Sequence, residues 1–161
     1  MTKLMRLQGE PLKILLVEDN IDHAELVSRS LEEHNVANFM SHVSDGQSAL
    51  DYLFRQGAYA DREPGYPHLI LLDLRLPKVD GMEVLRQIKE SSDLIAIPVV
   101  ILTTSEQDID VAKAYEYHAN SYVVKPIDFS KFSELIADLG YYWLSWNHHP
   151  WKDKPSVSQG N

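Results

Sequence analysis

Four short apolar runs limit this chain more than any other feature: "LKILLV" (12 to 17), "HLILLDL" (68 to 74), "IPVVILTT" (97 to 104) and "SYVVK" (121 to 125). Each is too short to be a buried helix, and each lacks the apolar–polar alternation of a strand with one wet face. Strands that are apolar at every position are buried on both sides, which requires a parallel sheet between two helical layers. The intervening segments supply those layers. Residues 21 to 34 place Ala24, Val27 and Leu31 at helical spacing, and "DGQSALDYLFRQG" (45 to 57) places Ala49, Leu50, Leu53 and Phe54 on one face, with Gly57 as its stop. "GMEVLRQIKESS", "SEQDIDVAKAYEYHA" and a segment from Asp128 toward Trp146 continue the alternation. "NFMSHVS" (38 to 44) supplies a fifth strand, and "AYADREPGYP" (58 to 67) is loop by its Pro and Gly.

The expected division is an N-terminal tail (1 to 11), one α/β domain (12 to 139) and an aromatic helix extension with a polar, frayed tail (140 to 161). Fifteen basic against twenty-four acidic side chains give a net charge of −9, which argues against a phosphate-backbone-binding surface. With no cysteine there is no disulfide framework and no thiolate zinc site. No run of 18 apolar residues and no signal-peptide core is present, so a soluble cytoplasmic protein is expected.

In open α/β sheets, ligands bind beyond the carboxyl ends of the strands. Those ends carry Glu18 and Asp19, Asp73, Thr103 and Thr104, and Lys125. Three converging carboxylates repel, so protons or a cation must join them. Oxygen donors without His or Cys favour a hard ion that keeps several waters, such as Mg²⁺. Lys125 is a compact charge suited to a phosphate oxygen, and Thr103 can donate to the same group. With Asp73 as nucleophile, the set fits phosphoryl transfer through an aspartyl phosphate. Singly, each has a plainer use: Asp19-Asn20 suits a helix N-cap, and Lys-Pro a turn.

The motifs "VEDN", "LLDLRLPKVDG", "VILTTS" and "VKP" resemble the receiver domains of bacterial two-component response regulators, over about Leu12 to Leu139. The resemblance implies a flavodoxin-like, doubly wound sheet of five parallel strands in order 2-1-3-4-5 with five helices. It implies Asp73 as phosphoacceptor, and Mg²⁺ (or Mn²⁺) held by Asp19, Asp73 and the main-chain carbonyl of Arg75, with Glu18 acting through water. Thr103 and Lys125 would contact the phosphoryl group, Tyr122 would be the switch aromatic, and Lys125-Pro126 a cis bond. The implied partner is a sensor histidine kinase or phosphotransfer protein. Because no output domain follows, signalling would pass through protein contacts. The long loop "FRQGAYADREPGYPHL", the segment "DLIAIPVVILTTSEQDI" and the aromatic end of the last helix are similar to the stand-alone regulators that partner bacterial phytochrome kinases.

Arg75 and Thr104 depart from common family choices: Arg75 either lies over the site, or simply points to solvent or pairs with a surface acid. An aspartyl-phosphate phosphohydrolase is the alternative, but it usually needs an Asp where Arg75 stands. A flavodoxin-like cofactor binder would need a phosphate loop, and "VEDNIDHAE" is acidic instead. Finally, Tyr142, Trp143 and Trp146 prolong the helical spacing of Phe132, Leu135, Ile136 and Leu139, across a Gly140 that costs up to about 1 kcal/mol. An exposed aromatic patch there predicts a homodimer through helices 4 and 5 and the extension; folding back over its own domain is the other possibility.

Overall fold

The computed structural model describes residues 11 to 146, without the side chains of Ser145 and Trp146. Of the tails expected at 1 to 11 and after Trp146, residues 1 to 10 and 147 to 161 lie outside the described residues.

Five strands and five helices alternate: β1 (Leu12–Val17), α1 (Ile21–Glu33), β2 (Asn38–Val43), α2 (Gly46–Phe54), β3 (Leu69–Leu72), α3 (Gly81–Glu90), β4 (Val99–Thr103), α4 (Asp108–Glu116), β5 (Ser121–Val124) and α5 (Phe129–Tyr141). All pairings are parallel, in the order β2-β1-β3-β4-β5. This is the expected doubly wound arrangement.

The unbroken apolar runs are explained by which neighbour each side chain meets. In β1, Leu15 and Val17 pack with Leu50, Leu53, Val84, Leu85 and Ala114 in the layer of α2, α3 and α4. Leu12, Ile14 and Leu16 pack with Val27, Leu31, Phe132 and Ile136 of α1 and α5. Burying one such Leu or Ile is worth about 1.5–3 kcal/mol. Neither face could take a polar residue without loss.

Helix starts follow their caps. Asn20 Oδ1 accepts from the backbone N–H groups of Asp22 and His23, and the Asp80 and Asp128 carboxylates cap α3 and α5. Asn20 thus does the capping, and Asp19 is left exposed toward the strand edge. Helix α2 ends at Arg55, in the left-handed region at φ 53°, two residues before the Gly57 stop expected from sequence.

The last helix was expected to run to Trp146. Regular α-helix ends at Tyr141, and a π-helical turn carries the backbone through Tyr142–Trp146. The extension folds back in part: Tyr141 and Trp143 pack on the cluster built from α1 and α5, and Tyr141 Oη donates to the His34 carbonyl at 2.7 Å. Gly140 also gains a reason. A Cβ there would stand 2.7 Å from Leu31 Cδ2 and 3.0 Å from Val36 Cγ1, so its absence lets α5 close on the α1–β2 connection.

Two expectations need correcting. The Lys125-Pro126 peptide is trans, as are all described peptide bonds. Trans is the lower-energy isomer by about 0.5–1 kcal/mol, and Lys125 already reaches its ionic partners with it. Trp143, assigned to a dimer surface, packs on its own domain, whereas Tyr142 stays half exposed. Trp146 contributes only its backbone to the described residues.

Candidate functional site

Strand register brings the acidic residues together. Val17 pairs with Leu72 across the parallel β1–β3 ladder, so the next residues, Glu18 and Asp73, emerge side by side. On the other side Thr103 pairs with Val124, which makes Lys125 the first residue beyond β5. One carboxylate oxygen from each of Glu18, Asp19 and Asp73 lies within 4.8 Å of the others.

Lys125 is the counter-ion. Its ammonium donates to Glu18 Oε1 at 2.6 Å and to Asp73 Oδ2 at 3.1 Å, and all three groups are buried. A buried pair of this kind persists only if its lone pairs and protons are satisfied. Asn20 N–H donates to Glu18 Oε2, and Arg75 N–H reaches Asp73 Oδ1 at 3.3 Å. Burial pushes the Glu18 carboxyl above its ordinary range, against the pull of Lys125. Two groups stand apart from this network: the Asp19 carboxylate, which is exposed, and the Thr103 hydroxyl, wholly buried at the end of β4 with no hydrogen-bond partner among the described residues. The first suits a solvated cation and the second an incoming acceptor oxygen.

Gly81 sets the close approach of α3 to this edge. Its N–H donates to the Leu74 carbonyl, and a Cβ would stand 2.2 Å from the Asp73 carbonyl oxygen and 2.6 Å from Leu74 Cα. Only a residue without a side chain lets α3 begin against the Asp73 peptide.

Arg75 does not cover the site. Its guanidinium donates to Asp110 Oδ2 at 2.9 Å on α4, and Ser105 Oγ donates to the same oxygen at 2.6 Å. Thr104 is exposed. Tyr122 Oη donates to the Ser105 carbonyl at 3.0 Å, and burial raises its phenol pKa. The β4–α4 connection is therefore held from two sides, by Arg75 through Asp110 and by Tyr122.

Sequence reasoning brought Glu18, Asp19, Asp73, Thr103 and Lys125 to one edge, and the structure does the same. It missed His23, whose Nδ1 lies 2.9 Å from Lys125 Nζ. The available signal was position: the first turn of a helix that follows an acidic strand end must hang over that edge.

A response regulator receiver domain model matches residues 14–137. The Methanothrix harundinacea protein named "Probable methanogenesis regulatory protein FilR2" is 47% identical over 88% of this chain and 89% of its own length. The crystal structure of the phosphorylated cyanobacterial phytochrome response regulator RcpA superposes with a TM-score of 0.82 at 39% identity, covering 87% of this chain and 99% of that one. The Mn²⁺-bound form of the response regulator Rcp1 gives 0.81 at 39% identity, with the same coverage. The register that aligns Glu18, Asp73 and Lys125 is thus carried by a chain that belongs to the response regulator receiver domains, phosphoacceptor modules of signalling.

Proposed function

We propose that this chain accepts a phosphoryl group on Asp73 from a sensor histidine kinase or phosphotransfer protein and signals by protein contacts. The observation that carries the assignment is the placing of Asp73: a buried carboxylate beyond the central strand, 3.1 Å from a buried ammonium and within 4.8 Å of two further carboxylates. A carboxylate oxygen of Asp73 attacks phosphorus, the P–N bond to the donor imidazole breaks, and its electron pair stays on the imidazole nitrogen. Lys125, already oriented on Asp73 Oδ2, meets the negative charge of the transferred group. The Thr103 hydroxyl, with no acceptor among the described residues, is available to a phosphoryl oxygen.

Glu18, Asp19 and Asp73 bring hard oxygens within 4.8 Å of one another, which fits Mg²⁺ or Mn²⁺; Asp19, Asp73 and the Arg75 carbonyl would hold the ion, with Glu18 through water, and it would offset charge on the phosphoryl oxygens. Arg75 is engaged by Asp110 and offers no general acid, which disfavours a phosphohydrolase. The apolar side chains of Ile21, Ile127 and Phe129 are 67%, 100% and 72% exposed on the first turns of α1 and α5 and the loop before α5, which suits docking by a partner protein. Similarity to the phytochrome regulator RcpA supports a phytochrome-type kinase as that partner. A homodimer through α4, β5, α5 and the extension is supported by the exposed Ile109, Tyr115, Val124 and Tyr142.

Incubation with acetyl phosphate and a divalent ion tests the acceptor. Intact mass should rise by one phosphoryl group, the adduct should be removed by hydroxylamine, and Asp73→Asn should abolish it. An unchanged adduct in that variant would assign the acceptor elsewhere.

A further inference from the structure

His23 has no part in the transfer described above, yet it touches the lysine that does. It stands in the first turn of α1, with Nδ1 2.9 Å from Lys125 Nζ and 3.9 Å from Glu18 Oε2. Its ring meets Phe132 of α5 edge-on, with centroids 6.0 Å apart. An ammonium has three protons and no lone pair, so Nζ must donate and Nδ1 must be the bare nitrogen. His23 is then a neutral imidazole carrying its proton on Nε2. Burial and the Lys125 charge both hold its pKa below the ordinary value.

Glu18, Asp73 and His23 saturate the three protons of Lys125. The acceptors are unequal in charge. Without His23 the third proton would be left to solvent, and either carboxylate bond could be exchanged for one to water. A neutral acceptor fixes that third direction without adding charge to an edge that already holds three carboxylates. With two protons committed to Glu18 and His23, the remaining one points to Asp73, where the phosphoryl oxygens arrive. Phe132 limits the tilt of the imidazole, so the orientation is set by the core.

We propose that His23 is a positioning residue for phosphoryl transfer: its neutral Nδ1 orients the Lys125 ammonium toward Asp73. This rests on Asp73 being the acceptor. Two substitutions separate hydrogen bonding from packing. His23→Phe keeps a ring on Phe132 but places carbon at Nδ1; His23→Asn places a carbonyl oxygen near that point. With acetyl phosphate as donor, His23→Phe should slow phosphorylation of Asp73 about tenfold, the size expected for losing one hydrogen bond to a charged group. His23→Asn should recover most of the rate.

In a Lys125→Met background, His23→Phe should have no further effect, because the group it orients is gone. Imidazole nitrogen NMR of the native protein supplies a check that needs no variant, and should find Nδ1 unprotonated. A wild-type rate in a folded His23→Phe, an equal loss in the Lys125→Met background, or a proton on Nδ1 would each overturn the proposal. Asp73→Asn, run alongside, keeps the two readings apart: labelling that survives it defeats the acceptor assignment, whereas its loss with a silent His23→Phe defeats only the positioning role.

Discussion

Replacing Gly81 by Ala perturbs stability and chemistry through one atom. The added Cβ would lie 2.2 Å from the Asp73 carbonyl oxygen, 2.6 Å from Leu74 Cα and 2.9 Å from the Leu74 carbonyl oxygen. All three are backbone atoms, so no side-chain rotation relieves the overlap. The chain must move by roughly 1 Å to restore ordinary contact. Overpacking of this kind costs about 1–3 kcal/mol, and a backbone clash belongs at the upper end. Better helix propensity returns at most about 1 kcal/mol. The net loss of about 2 kcal/mol should lower Tm by about 4–8 °C in a domain of this size. The same shift moves the Asp73 peptide, and a misplacement of about 1 Å can cost about 100-fold in rate. Circular dichroism melting together with intact-mass kinetics under acetyl phosphate measures both. A Tm equal to or above wild type, with a rate within about twofold, would refute the close approach of α3 to the Asp73 peptide.

Asp19→Asn should weaken Mg²⁺ binding and phosphorylation together, and excess EDTA should suppress phosphorylation of the native protein; full labelling in EDTA would count against the donor set. Thr103→Ala removes a hydroxyl with no partner, so its stability should change by no more than about 1 kcal/mol while phosphorylation ceases to alter partner affinity, as read by titration calorimetry. Lys89, buried on α3, donates to the Ile95 and Ile97 carbonyls and to Asn120 Oδ1, and burial lowers its pKa to about 8. From pH 8 to 10.5 the unfolded chain therefore keeps a proton that the folded chain releases, so stability should rise with pH there. Lys89→Met should abolish that rise and cost about 1–3 kcal/mol at neutral pH, both measurable by urea unfolding. Sedimentation at tens of micromolar should find a dimer that Tyr115→Ser combined with Tyr142→Ser dissociates; a monomeric wild type, with and without beryllofluoride, would dismiss the interface.

Much of this was legible because the informative signals were local. Uninterrupted apolar runs told of strands buried on both faces, and their last residues told which side chains would meet at one edge. Strand order came from the motif resemblance, since alternation alone does not order a parallel sheet. What escaped depended on partners from distant elements. Arg75 had more than one possible use, and the choice was made by Asp110, 35 residues away on α4. His23 gave no spacing signal because its partner is 102 residues away. Gly140 looked like a helix defect until Leu31 and Val36 were found where its side chain would be. Trp143 looked like surface for the same reason: helical spacing says which residues share a face, but not what that face meets.

The bond from Tyr141 to the His34 carbonyl has a mechanical consequence. Helix α5 begins at its Asp128 cap, three residues past Lys125, and ends at this bond, 13 residues and about 20 Å away. Its near end follows the loop that carries Lys125, and its far end is tied to the end of α1 by this bond. The same helix thus joins the acidic edge at its start to the base of the aromatic extension at its end, where Tyr142 is half exposed.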